Sequence, residues 1–271
     1  MNHEALAIAL NDADPEVRQA AILEVAENPQ ITLPEASLDA LIACLGASRK
    51  VIQRRAAEAI AASAPHDARV VEKLRAMFAH HDPRARWGAA YALGLVSLDD
   101  ALDLRAMPVL LETLASNDGD VRWAAAELIV RLGRQHPEAV SKQLLELAEH
   151  GNLNARKMAL YCLRDVGGPP DALLAVAESC CGDHHTLLKM AALSLLTRIH
   201  GDGDRAAALA IRLLQGDPDG GVRRCAAVAL GHLGNHSPFV TDALTRAANA
   251  EGDIYMKRAA QGALTRLGAN P

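Results

Sequence analysis

Cysteine and histidine side chains, which ligate metals and carry nucleophilic chemistry, meet at one point of this sequence. Residues 180–185 read CCGDHH, from Cys180 to His185. The two cysteines are adjacent, whereas structural zinc sites use cysteines separated by two to four residues. Histidines also occur in the segment 80–82, which has an equivalent position in the chain. We therefore predict no metal site, and a metal bound by Cys180, Cys181, His184 and His185 remains an open alternative.

Other signatures of catalysis are absent from the sequence. It has no serine–histidine–acid pattern and no glycine-rich phosphate loop, since its glycines lie at predicted helix ends. We predict no catalytic residue and no cofactor, so a binding protein is favoured over an enzyme.

The composition limits the classes of partner. The formal net charge of −5 argues against a nucleic-acid-binding protein, which normally carries an excess of basic residues. No segment has the order of a secretory leader, and no apolar run has membrane-spanning length. Five cysteines do not form an even disulfide framework, which predicts a reducing, cytoplasmic location.

One helical pattern recurs eight times along the chain. Each copy is anchored on an apolar residue, and the anchors are 33 to 36 residues apart: Val17, Ile52, Ala85, Val121, Ala155, Leu188, Val222 and Met256. Four residues after every anchor stands an alanine, and eight residues after it stands an aliphatic residue. These offsets share one face of a helix, so each copy contains an amphipathic helix. The constant alanine predicts close approach by a neighbouring helix.

The start of each of these helices is also marked. Three residues before the anchor, six copies carry a side chain that caps helix N-termini: Asp14, Asp82, Asp118, Asn152, Asp219 and Asp253. Arg49 and His185 are the two exceptions. A further apolar run precedes each helix, for example at 38–45, 70–78, 140–147 and 240–247. Each copy is therefore predicted to be a helix, a turn and a second helix.

This D-x-x-[V]-R-x-x-A-x-x-A-L spacing resembles the HEAT repeat, and most closely the short HEAT-like repeats of phycobilisome (bilin) lyases, a type common in bacteria. The resemblance spans essentially the whole chain. It implies an all-α fold, a right-handed α-solenoid of about eight HEAT-like helix-turn-helix repeats in one domain, 1–271. The stretch 167–170, reading GGPP, is either an inter-repeat turn or a minor hinge near 167–171.

A basic residue follows the anchor in seven of the eight repeats, and only Gln53 departs from this column. A column of cations could bind phosphates. In HEAT-like families, however, this residue typically pairs with the cap aspartate of an adjacent repeat. The resemblance therefore implies a structural ladder.

Aromatic residues mark the opposite face of the second helices. With a rotation of 100° per residue, the residues at offsets two, six and nine from the anchor lie on the side of the helix that faces away from the core. Both tryptophans and two of the three tyrosines occupy such positions, so we expect their rings to face solvent and truncation of either tryptophan to cost little stability. Exposed large side chains of this kind mark binding sites. The predicted partner-binding groove consists of Trp87, Tyr91, Trp123, Glu127, Lys157, Tyr161, Arg164 and Met190, flanked by Arg54, Arg224 and Arg258.

These features predict a non-enzymatic scaffold, adaptor or assembly factor that holds a protein client or peptide segment in the groove. The resemblance leaves a second interpretation, a bilin-lyase-like or cofactor-maturation chaperone that binds a tetrapyrrole. A third is DNA binding similar to that of HEAT-like DNA glycosylases, in which Glu127 would be the acidic residue. HEAT-like deoxyhypusine hydroxylases carry several His-Glu dipeptides spread over their repeats. This chain has only His3-Glu4, which argues against membership of that enzyme family.

Overall fold

The computed structural model describes residues 3–98, 101–199, 203–250 and 253–268. Every regular element in these ranges is helical, and four short 3-10 turns accompany the α-helices. The helices are α1 (His3–Leu10), α2 (Pro15–Glu27), α3 (Glu35–Ala43), α4 (Lys50–Ser63), α5 (Arg69–Ala76), α6 (Pro83–Leu95), α7 (Met107–Thr113), α8 (Gly119–Gln135), α9 (Pro137–His150), α10 (Leu153–Val166), α11 (Pro170–Cys181), α12 (Thr186–Leu196), α13 (Gly203–Gly216), α14 (Gly220–Leu233), α15 (Pro238–Asn249) and α16 (Ile254–Arg266). The predicted all-α fold is therefore confirmed.

The helices form two compact units. Unit 1 contains Met1–Thr113 and Trp123–Leu132, and unit 2 contains Leu114–Arg122 and Gly133–Pro271. Within unit 2, each odd-numbered helix packs on the next even-numbered helix, as α9 does on α10 and α13 on α14. The even-numbered helices also pack on one another, from α10 to α12, α14 and α16. In unit 1, α2, α4 and α6 form the same kind of row. Below, the even-numbered helices are called the second helices.

The core follows the predicted repeat. The alanine at offset four is at most 1% exposed in all eight repeats, and the aliphatic residue at offset eight is buried in all eight. Alanine is required where another helix backbone lies close, because a larger side chain would not fit without displacing it. Within the described ranges, no helix combines the length and the apolar character needed to cross a lipid bilayer.

Side-chain caps hold the predicted helix starts. In α6, Oδ1 of Asp82 accepts a hydrogen bond of 2.9 Å from the backbone N–H of Arg84. In α14, Asp219 accepts from the N–H groups of Gly221 and Val222. Asp14, Asp118, Asn152 and Asp253 cap their helices in the same way. The two predicted exceptions, Arg49 and His185, make no side-chain cap bond.

The basic column is structural, but its partners differ from the expected ladder. The Arg86 guanidinium donates to the carbonyl oxygens of His80 and His81 in the preceding turn, and also pairs with Glu112. Arg223 donates to two carbonyl oxygens of its own preceding turn. These contacts satisfy backbone carbonyl oxygens of the turns between the helices.

Two other members of the column reach the next repeat at an aspartate that lies two residues before the cap position. Arg156 pairs with Asp183 at 3.0 Å, and Lys189 pairs with Asp217 at 2.6 Å. The expectation of pairing with the cap residue was therefore wrong for these two bridges. For Arg156, the cap position of the next repeat holds His185, which has no carboxylate. For Lys189, the cap carboxylate of Asp219 instead accepts hydrogen bonds from the backbone N–H groups of its own helix.

The stretch 167–170 forms a turn. Gly167 follows α10 with a φ of 85°, a conformation that glycine adopts without a steric penalty, and α11 begins at Pro170. Helices on both sides of the turn contact each other, α9 with α11 and α10 with α12. These contacts favour an ordinary inter-repeat turn. One continuous domain with a minor hinge here stays a prediction.

The Lys189–Asp217 bridge makes the stability of unit 2 sensitive to acid. Burial would raise the pKa of Asp217, but hydrogen bonds from Lys189 and from the backbone N–H of Asp219 outweigh it, so the pKa lies below its ordinary value. A carboxyl with a lowered folded pKa contributes stability above its unfolded pKa of about 3.9 and loses it as pH falls toward the folded pKa. We therefore expect the free energy of unfolding to decrease below about pH 4.

Urea unfolding followed by circular dichroism between about pH 2.5 and 7 tests this expectation. Asp217→Asn should flatten the decrease at acid pH, because it removes one of the titrating groups. The matched control is Asp242→Asn, which changes an exposed carboxyl on α15 and should leave the slope as it is. Identical slopes for all three proteins would contradict the role assigned to Asp217.

Candidate functional site: the outward face of the second helices

The predicted groove residues are distributed over both units. Arg54, Trp87, Tyr91, Trp123 and Glu127 belong to unit 1, and the remaining six belong to unit 2. All lie on second helices, because the repeat places each of them at an outward offset. One continuous groove stays a prediction, and each unit is described by itself.

Trp87 does not face solvent as expected. Only 8% of its surface is exposed, and its ring contacts that of Tyr91, one helical turn further along α6, with centroids 5.5 Å apart. The expectation that this ring supports no packing is therefore wrong. A helical wheel gives the direction in which a side chain leaves the helix. It does not show how much of a large ring such as indole is buried by side chains of neighbouring helices.

Trp123 meets the expectation. Its side chain, on α8, is 52% exposed, which is unusual for the largest apolar side chain. Glu127, one turn later on the same helix, is exposed, as is Arg54 on α4. In unit 1, therefore, the exposed part of the predicted surface consists of one indole ring with charged side chains, and Tyr91 is half-buried.

A cleft of about 740 Å³ opens on the outward face of unit 2, between α10, α12 and α14. Three predicted residues, Arg164, Met190 and Arg224, line it. Its volume falls within the range of sites that bind small molecules or single side chains of a partner. The lining mixes apolar side chains with arginines, so the cleft can bind anionic groups beside apolar ones.

Ion pairs position two of these arginines. Arg164 binds Asp165 at 2.8 Å and donates to the hydroxyl of Ser194, while Arg224 binds Asp253 at 3.2 Å. The hydrogen bond from Arg164 holds the pKa of the Asp165 carboxyl below its usual value against the opposing effect of burial. Asp165 therefore stays ionised at neutral pH and fixes Arg164 at the edge of the cleft.

Tyr161 lies beside the cleft on α10, and Lys157 precedes it by about one turn of the same helix. The guanidinium of Arg164 stands 5.6 Å from the centre of the Tyr161 ring, a cation–π contact. Burial raises the pKa of Tyr161, and its neighbour Cys225 lines the cleft. Lys157 is half-buried, and burial together with the charge of Arg122 lowers its pKa. Arg258, on α16, is exposed and is not part of the cleft lining.

Several residues of this cleft were not predicted from the sequence. Asp165, Arg198 and His232 line it, and each stands ten residues after its anchor, one position beyond the last outward offset that we considered. Including that offset would have found them. Val228 occupies an outward offset of six and was readable from the sequence as an exposed apolar residue.

The polar and sulfur side chains of residues 180–185 make structural contacts. The carboxylate of Asp183 accepts hydrogen bonds from Arg156 and from the backbone N–H of His185. Asp183, His184 and His185 lie close enough to share a cation, but Arg156 already pairs with the carboxylate. The group that lies together contains neither cysteine; both thiols are buried, and burial raises the pKa of Cys181 to about 12 and also raises that of Cys180.

Three solved structures share this arrangement of helices. Karyopherin Kap121p bound to the SUMO protease Ulp1p has a TM-score of 0.71 at 14% identity, with 98% of this chain and 33% of that chain covered. The same karyopherin bound to the extreme C-terminus of the protein phosphatase Cdc14p has a TM-score of 0.70 at 14% identity, covering 98% and 34%. An archaeal HEAT-like repeats protein from Thermococcus onnurineus NA1 has a TM-score of 0.54 at 15% identity, covering 88% and 98%.

At these identities the likeness shows the fold, and this chain spans about a third of the length of the karyopherin chains. No curated protein matches the sequence at a significant level. The sequence profile of HEAT repeats matches residues 38–129, 107–197 and 180–265, which together cover most of the chain. The chain therefore belongs to the HEAT-repeat family.

Proposed function

We propose that this HEAT-repeat protein is a non-enzymatic scaffold, an adaptor or assembly factor that binds a protein segment on the outward faces of its second helices. The observation that carries the proposal is the exposure of Trp123, 52% of whose surface is open on the face where the repeat predicts a groove. Tryptophan is among the residues that contribute most to the free energy of protein association. An indole ring exposed to water at such a position supports an interaction site.

The cleft of unit 2 supports the same proposal. It places Met190 and two arginines at outward positions, and methionine and arginine are enriched in protein interfaces. The karyopherin neighbours were solved with a protein or a protein C-terminus bound, which agrees with the use of this fold for protein recognition. We also propose a cytoplasmic location, because all five cysteines are free and four of them are buried.

Affinity purification from native lysate tests the proposal. We compare the intact chain with Trp123→Ala and with the matched control Phe239→Ala, which removes an aromatic ring that is 44% exposed on α15, an odd-numbered helix outside the proposed surface. A protein retained by the intact chain and by the control, but lost with Trp123→Ala, is the expected result. The loss in affinity should be about thirtyfold or more if Trp123 dominates the interface.

Three results would count against this function. Recovery of the same proteins with all three forms would show that the Trp123 surface is not the binding site. Reconstitution with haem or a bilin that gives a stable visible absorbance, without any protein partner, would favour the tetrapyrrole-binding alternative. Binding to duplex DNA that weakens steeply with salt would favour DNA-directed function.

A further inference from the structure

The cleft of unit 2 concentrates positive charge in an acidic chain. Arg164, Arg198 and Arg224 line it against a single carboxylate, that of Asp165, although the whole chain carries a formal charge of −5. Within the described residues, Arg198 makes no ion pair, while Arg164 and Arg224 are each held by one aspartate. Burial and the charges of Arg266 and Arg198 lower the pKa of His232 at the same cleft. The local electrostatic field therefore attracts anions.

Apolar side chains line the cleft together with these arginines. They include Met190, Val228 and Leu193, of which Val228 is 43% exposed and Leu193 is buried. A small inorganic anion would leave this apolar surface in contact with water. An occupant that covers it must bring an apolar group together with its negative charge.

The lining favours a protein segment over a nucleic acid. Binding of single strands depends on aromatic side chains on which bases stack. Among the described residues that line the cleft, none has a phenyl, phenol or indole ring. Two tyrosine rings lie next to arginines of the lining, that of Tyr161 at 5.6 Å from Arg164 and that of Tyr255 at 6.0 Å from Arg224, but neither ring lines the cleft.

We infer that the cleft between α10, α12 and α14 binds an acidic protein segment that presents an apolar side chain between its carboxylates. One carboxylate pairs with Arg198, and the apolar side chain, leucine or methionine in type, packs on Met190 and Val228. This inference rests on the proposed function, since it names the chemistry of the client. It adds a recognition site that the aromatic surface around Trp123 does not supply.

The first test is selection from a positional-scanning library of dye-labelled peptides of about 12 residues, with binding to the full chain measured by fluorescence anisotropy. We expect enrichment of Asp or Glu around Leu or Met. Affinity should fall by about tenfold or more between low and physiological ionic strength, because the attraction between partly exposed charges is screened by salt.

Variants with matched controls place the binding at this cleft. Arg198→Glu should weaken the selected peptide by at least about tenfold, whereas Arg246→Glu makes the same charge change on an exposed residue of α15 and should have no effect. Val228→Ser should weaken it about fivefold. Val51→Ser, at a valine that is also 43% exposed but lies on α4, should leave the affinity unchanged.

Several results would overturn the inference. These are failure of every peptide to bind, selection of neutral or basic peptides, equal affinity after Arg198→Glu, and stronger binding of a thymidine strand of matched length than of any peptide. The result also stays separate from the proposed function. A native client that depends on Trp123 but not on Arg198 would leave the scaffold function standing and remove the cleft from it.

Discussion

Replacement of Trp87 by alanine is expected to lower the free energy of unfolding by about 3–5 kcal/mol. The indole ring is 8% exposed and contacts the Tyr91 ring, so truncation removes a large buried apolar surface and leaves a cavity that α6 cannot close. Urea unfolding monitored by far-ultraviolet circular dichroism measures the change, and tryptophan fluorescence of the remaining Trp123 reports on unit 1.

Trp123→Ala is the matched control, since it makes the same substitution at a ring that is 52% exposed. Its cost should be about 1 kcal/mol or less, because much of the indole surface is already in water. Comparison of Trp87→Ala with Trp123→Ala therefore separates the effect of a tryptophan on stability from its effect on binding. Equal losses of stability for the two variants would mean that their burial differs less in solution than the structure shows.

Gly88→Ala is expected to cost about 2–3 kcal/mol, although alanine favours helices over glycine by about 1 kcal/mol. A Cβ atom at Gly88 would lie 2.5 Å from the carbonyl oxygen of Leu45 and 2.8 Å from the Cβ of the same residue. Both contacts involve atoms fixed by the backbone, so α6 would have to move away from the turn that follows α3. Thermal unfolding of the full chain measures the loss.

The opposite sign is expected at Gly262, which lies in the interior of α16, where a Cβ atom would meet no other atom within 4 Å. There Gly262→Ala should stabilise the chain by about 0.5–1 kcal/mol, because it restricts the unfolded chain and improves helix propensity. Two identical substitutions in two helices thus differ only in the neighbour that the new methyl group meets. A gain at Gly88 would show that the α6 contact is looser than described.

The fold could be predicted because one pattern recurs eight times. Every repeat buries its offset-four alanine and its offset-eight aliphatic residue, so agreement among copies separated the core face from chance apolar residues. The lack of a side-chain cap bond at Arg49 and His185 could also be predicted from the residue types. The division into two units was not readable, because it depends on long-range packing and falls within a regular repeat, at α8.

The candidate site was only partly predictable. Arg164, Met190 and Arg224 line the cleft as their outward offsets suggested, whereas Trp87 is buried. Offsets define directions on an isolated helix, and burial depends on what the adjacent helices place around each side chain. Arg198 was missed because offset ten was not counted among the outward offsets.

The turn-binding arginines bear on how this chain can change in length over evolution. Arg86 and Arg223 donate to carbonyl oxygens that precede them by only five or six residues, so each of these repeats closes its own turn. A gene duplication that copies such a repeat copies its turn and its guanidinium together. The inserted unit arrives with its carbonyls already satisfied and needs only the neighbouring helix faces to match. Arrays built in this way can gain or lose repeats one at a time, and the surface offered to a partner lengthens or shortens with them.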